Sequence, residues 1–172
     1  TMGSAMGIQH SRSTSGFPLP EIDPRTLRQK DAEELEEEQS GRAHTVIYRL
    51  GPSTLVTKVV GHPELAHAEL LIRRSEALIR RAGTIRIFHD WFGVTGYKAE
   101  VRARLTPWSQ ETAPNHDGVY VGTQSRLVRM GITVVQLLSG TPIVAFATLA
   151  ELERELAATL RSRSASARPQ AP

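Results

Sequence analysis

Cysteine is absent from the 172-residue chain, which excludes disulfide staples, thiolate metal centres, iron–sulfur ligation and a cysteine nucleophile. A reducing compartment is the setting this composition predicts. Apolar runs are short: none reaches the roughly 18–20 residues needed to span a bilayer, and the amino end lacks the basic-then-apolar pattern of a signal peptide. A cytoplasmic protein without a membrane span is therefore expected. Aromatics make up only 5% of the chain, too few for a nucleic-acid stacking platform, and no groove-reading motif accompanies them. Catalytic signatures are equally scarce. No His-Glu-x-x-His pattern and no glycine-flanked serine elbow occurs, and Gly93-Val94-Thr95-Gly96 lacks the lysine and spacing of a phosphate loop. Six histidines are present, but His62 and His67 are badly spaced for a shared helical face, and His89 and His116 lie near opposite ends of adjacent elements. No metal, no cofactor and no enzymatic activity are expected.

What the chain does hold is enough for one soluble domain: 40% of its residues are hydrophobic, and 21 Lys and Arg against 18 Asp and Glu leave a net charge of +3. Residues 1–24 are rich in Gly, Ser and Pro, with too few large apolar groups to offset the entropy of ordering, and read as a disordered tail. Its start, Thr1-Met2-Gly3-Ser4-Ala5-Met6-Gly7, looks like vector sequence. Residues 25–42 read as an acidic helix or linker, because Asp31, Glu33, Glu34, Glu36, Glu37 and Glu38 cluster there. Residues 161–172 read as a disordered basic tail, which leaves 43–160 as the folded domain. Within it Arg73-Arg74 and Arg80-Arg81 recur on one side of a helix, and Glu69 and Glu76 beside them favour a solvated face over a polyanion site.

Period and punctuation then order the elements. His44–Leu50 and Thr54–Val60 are β-branched runs separated by Gly51-Pro52-Ser53, a hairpin pattern. Pro63 suits a first helical turn, and Leu65, Ala68, Ile72, Ser75, Ile79 and Ala82 recur at helical spacing up to a stop at Gly83. Thr84–Asp90 reads as a strand and Trp91–Gly96 as a loop. The helix that follows places Tyr97, Val101, Leu105 and Trp108 on one face, with Pro107 set to kink or end it. Asp117–Gly122 is a strand, Ser125 opens a helix whose Leu127, Met130, Val134, Val135 and Leu138 should face inward, and Gly140 stops it. Ile143–Ala147 is expected as a final buried strand, and Thr148 with Glu151 makes a capping box for a helix carrying Leu149, Leu152, Leu156 and Leu160. The fold class is thus α/β, with a mixed, mostly parallel sheet in the order β-β-α-β-α-β-α-β-α and helices packed on the sheet.

That order over residues 43–160 resembles the STAS family, named for sulfate transporters and anti-sigma-factor antagonists, and looks most like its SpoIIAA-like branch. In that family a strand ends in an acidic residue and a short loop leads to a serine-bearing motif at the next helix, where phosphorylation switches partners. Here Ile85–Asp90 matches the strand and its acidic end, Val94-Thr95 matches the loop, and Gly96-Tyr97 falls where the serines would be, so the phosphoacceptor serine is missing. The resemblance implies a protein-interaction module that docks on a regulator, kinase or scaffold, and the same architecture also serves in carrying lipids and other apolar ligands.

The physics of residues 90–97 agrees on the place, since a strand end followed by a helix amino terminus offers unpaired N–H groups and a positive dipole. Asp90, Trp91, Phe92, Thr95, Gly96 and Tyr97 are the candidate partner-binding residues. The Thr95 hydroxyl is read either as a helix cap or as a phosphorylation site. Trp91 and Phe92 cannot both point into one face of a core from a loop, so at least one is a candidate exposed anchor. The helix over 125–138 is apolar around most of its circumference, which makes Leu127, Met130, Val134 and Leu138 a candidate ligand cavity or homodimer face. The expected function is a non-catalytic interaction and regulatory module, with a carrier of a small apolar ligand as the alternative. A closed core with Trp91 or Phe92 exposed would favour the first, and an internal cavity the second.

Overall fold

In a computed structural model that describes residues 32–166, the β-branched runs and amphipathic periods build one six-stranded sheet with helices on both faces. The expectations for residues 1–31 and 167–172 lie outside the described residues. Strands β1 (Ala32–Ser40), β2 (Ala43–Leu50) and β3 (Thr54–Gly61) are followed by α1 (Leu65–Ala82), β4 (Ile85–Val94), α2 (Ala99–Thr112), a short 3₁₀ turn (Ala113–Asn115), β5 (His116–Gly122), α3 (Arg126–Ser139), β6 (Ile143–Phe146) and α4 (Leu149–Ser166). The strands lie in the sheet in chain order. The first three pair antiparallel, and β3 to β6 pair parallel.

This order decides where the helices go. Three successive right-handed crossovers progressing in one direction across the sheet put α1, α2 and α3 on the same face. The packing follows: Ile47, Leu55, Ile85 and Ile87 meet α1 and α2, and Val59, Val119 and Val121 meet Val128 and Ile132 of α3. On the opposite face, Leu50, Val56 and Phe88 meet Leu152 and Leu156 of α4. Glycines end α1 and α3 in positive-φ conformations, Gly83 at 79° and Gly140 at 66°, and the side chain of Ser125 caps α3 by accepting from the Val128 N–H. The Thr148–Glu151 capping box forms in both directions, at 3.1 and 3.3 Å.

Several expectations are corrected. The acidic segment is a strand over Ala32–Ser40, not a helix, and so the β2–β3 hairpin is not the sheet edge. Helix propensity yields there to the open backbone groups of β2, which β1 satisfies through a two-residue turn at Gly41 and Arg42. The carboxyl-terminal helix runs on to Ser166, so a tail does not begin at 161. Pro107 does not end α2; the helix continues to Thr112. Proline removes the N–H that would bond the Ala103 carbonyl, and Ala103 is exposed, where that loss costs least. The last strand is a sheet edge and not buried, with Val144 46% exposed.

Candidate functional site

Between the sheet and α1–α3 lies a cavity of about 150 Å³. It exists because several inward positions there carry short or polar side chains where a solid core would need large apolar ones. On β2, β3 and β4 these are Thr45, Thr57 and His89, in register with inward Ile47, Leu55 and Ile87. The helices contribute Ala68, Gly131 and His67, and β5 contributes His116. Two histidines are tied to strand hydroxyls, His89 Nδ1 to Thr57 Oγ1 at 2.7 Å and His67 Nδ1 to Thr45 Oγ1 at 2.9 Å. Trp91 lies against His89 with ring centroids 4.4 Å apart, and Trp108 of α2 lies 5.6 Å from His116.

Much of the polar capacity of this lining is unused. The indole N–H groups of Trp91 and Trp108 and both ring nitrogens of His116 are buried without a hydrogen-bond partner. Such atoms are costly in a folded core, by about 1–3 kcal/mol each. Burial, with a smaller contribution from His116, pushes the His89 imidazole down to about 3, and burial also lowers His116. Both rings are therefore neutral at physiological pH. Among the described residues no group of three His, Asp or Glu side chains is arranged to hold a metal ion.

The expected docking loop is mostly strand. β4 continues through Val94, with Asp90, Gly93 and Val94 paired to β3 and Trp91 and Phe92 at a register shift between them, and only the segment after Val94 connects to α2. This resolves the problem of the adjacent aromatics: on a strand, neighbours point to opposite faces, and both faces of this sheet are covered. Trp91 packs half-buried toward α3, and Phe92 packs half-buried under α4, where Gly122 leaves room for its ring. Neither is an exposed anchor. Asp90 is buried on the α4 side, 3.9 Å from Lys58, and accepts from the Phe92 N–H at 3.4 Å. Burial raises its carboxyl above the usual range, against the pull of Lys58 and that N–H.

Thr95 is exposed and caps no helix; its hydroxyl and its N–H both donate to the Gly61 carbonyl, at 3.1 and 2.9 Å. Gly96 is buried against the ring of His62, and Tyr97 is half-buried with its hydroxyl beside Gly131. Of the six candidate residues, Trp91 and Tyr97 thus line the cavity while Asp90 and Phe92 face the other side of the sheet.

Helix α3 turns a different side inward from the one expected. Val128, Ile132 and Val135 face the sheet and cavity, whereas Leu127, Met130, Val134 and Leu138 point outward at 43–67% exposure and do not line the cavity. Because the apolar arc of the helix is wider than one packing face, with Arg126, Arg129, Thr133 and Gln136 marking a polar side, hydrophobicity did not select which part of the arc turns inward. Sequence reasoning also missed His67, His89, His116, Trp108, Thr45 and Thr57 as a group. The available signal was their register: His89 falls between Ile87 and Trp91 at alternate positions, and Thr57 between Leu55 and Val59.

No protein-family model matches the sequence, and no curated protein matches it. Among solved structures the chain is similar to a protein of the DUF3478 family with a SpoIIAA-like fold from Shewanella loihica PV-4. The likeness covers 73% of this chain and 94% of that one at 14% identity, with a TM-score of 0.50. Together with the mixed six-stranded sheet and four helices, this establishes a SpoIIAA-like fold.

Proposed function

We propose that this domain of SpoIIAA-like fold is a binding module that takes up a small, largely apolar molecule in the cavity between the sheet and α1–α3. The observation that carries this reading is the partly open space of about 150 Å³ whose wall is almost wholly apolar. A pocket that is mainly apolar, with a few convergent polar groups, is the usual form of a small-molecule site. Both tryptophans of the chain line it, so tryptophan emission reports occupancy directly. Titration with benzene and toluene is expected to change that emission saturably. A linear response with no saturation would remove the reading.

The outward face of α3 supports a second reading, docking on a protein partner or a second copy. Leu127, Met130, Leu137 and Leu138 are each more than half exposed, and an apolar patch of this kind favours association. Met130→Asp is expected to abolish concentration-dependent mass in light scattering while leaving the melting temperature unchanged. A strict monomer across the concentration series would remove self-association.

A further inference from the structure

Resting on the ligand-binding reading above, we infer that the cavity takes bare hydrocarbon, a single ring or a short chain, and rejects molecules of the same size that carry a hydrogen-bonding group. Size sets the first part: the space is about 150 Å³, and an apolar cavity of that order holds one benzene-sized molecule. The second part comes from what the wall withholds. Small-molecule sites usually set a few convergent polar groups in an apolar wall. This wall is almost wholly apolar, although histidines, threonines and tryptophans line it.

Those side chains present carbon because their polar atoms are engaged or covered. Thr57 Oγ1 and His89 Nδ1 bond each other at 2.7 Å, and Thr45 Oγ1 and His67 Nδ1 do so at 2.9 Å. The second ring nitrogen of His67 lies 3.5 Å from the Ser40 carbonyl oxygen. On α2 the Thr106 hydroxyl donates to the Arg102 carbonyl at 2.9 Å. The indole nitrogens of Trp91 and Trp108 and both nitrogens of His116 have essentially no accessible surface, so a molecule in the cavity meets the carbon atoms of those rings. A buried water needs two to four polar partners, and an apolar cavity that lacks them stays dry. A ligand hydroxyl meets the same want of partners: it gives up its hydrogen bonds to bulk water and is not repaid. A hydrocarbon loses nothing polar on entry and gains the burial of its apolar surface.

Toluene and phenol have nearly the same shape and differ by a methyl in place of a hydroxyl. The test is a ¹H–¹⁵N spectrum of the full chain titrated separately with each, reading the two indole signals. Toluene is expected to saturate and to bind at least about ten-fold more tightly than phenol. A smaller ratio, or tighter binding by phenol, overturns the exclusion of polar ligands and leaves the ligand cavity standing. Saturation by neither removes the cavity reading itself. The threonine–histidine pairs are tested by Thr57→Ala, which removes the hydroxyl from His89 Nδ1 and opens its place to the ligand. Phenol affinity relative to toluene should then rise about five-fold; an unchanged ratio overturns the role of that pair. Should that variant fail to fold, Thr45→Ala makes the same comparison at His67.

Discussion

Under α4 the sheet presents Phe88 and Tyr120 stacked with centroids 4.4 Å apart, with Leu152 and Leu156 closing over them. Under α1, α2 and α3 it presents Thr45, Thr57 and His89 among its aliphatic side chains, and a cavity remains. One helix seals the first face, whereas three leave the second hollow. The difference is therefore not how much helix covers a sheet but how much side-chain volume the sheet supplies beneath it. Close packing is the default of protein interiors. A face that gives it up, and also leaves indole and imidazole nitrogens unpartnered, forgoes stability that a solid core would keep.

The comparison breaks most readily at its solid side. Phe88→Ala is expected to destabilise the domain by about 3–5 kcal/mol, because Phe88 is fully buried and the aromatic stack cannot relax into the gap; chemical denaturation measures the loss.

Acid tests the hollow side. With its folded-state value depressed from 6.5 to about 3, His89 is neutral in the fold and protonated on unfolding between those limits. The unfolded state then binds more protons, so stability is complete above about pH 6.5 and declines as pH falls toward 3, at up to about 1.4 kcal/mol per unit for this one group. Urea melts across that range should give this slope, reduced in His89→Gln.

His116→Phe sharpens the contrast in the opposite direction. It replaces a buried ring having two unpartnered nitrogens with an apolar ring, and should stabilise the empty protein by about 1–3 kcal/mol, read as a raised melting temperature. The smallest effect is expected at the exposed capping box beside α4. Thr148→Ala removes the hydroxyl that accepts from the Glu151 N–H and should cost about 1 kcal/mol, without altering ligand titrations on the other face.

Legibility in the sequence follows how local the cause is. The Ser125 cap, the stops at Gly83 and Gly140, the Thr148–Glu151 pair and the alternation of strands with helices are each fixed within a few residues, and each is present. β1 was obscured because its pairing comes from β2, against the helix propensity of its glutamates. The reach of β4 through Trp91-Phe92-Gly93 was obscured by a glycine-containing run that resembles a loop, although parallel pairing to β3 extends it. The inward side of α3 was ambiguous because its apolar arc is wider than one packing face can bury. The cavity was least legible of all. Thr45, Thr57, His67, His89, Trp108 and His116 come from six different elements, and only the right-handed winding of the chain makes them neighbours.

The outermost strand has a further consequence for the life of the protein in a crowded solution. An open sheet edge is a template on which other chains can add strands. β1 holds five glutamates in nine residues, and its register slips between Glu34 and Glu36; dense like charge and a local irregularity both discourage such growth. The opposite edge, β6, is only four residues long. Edge-to-edge addition of strands is thus discouraged at both ends of the described sheet.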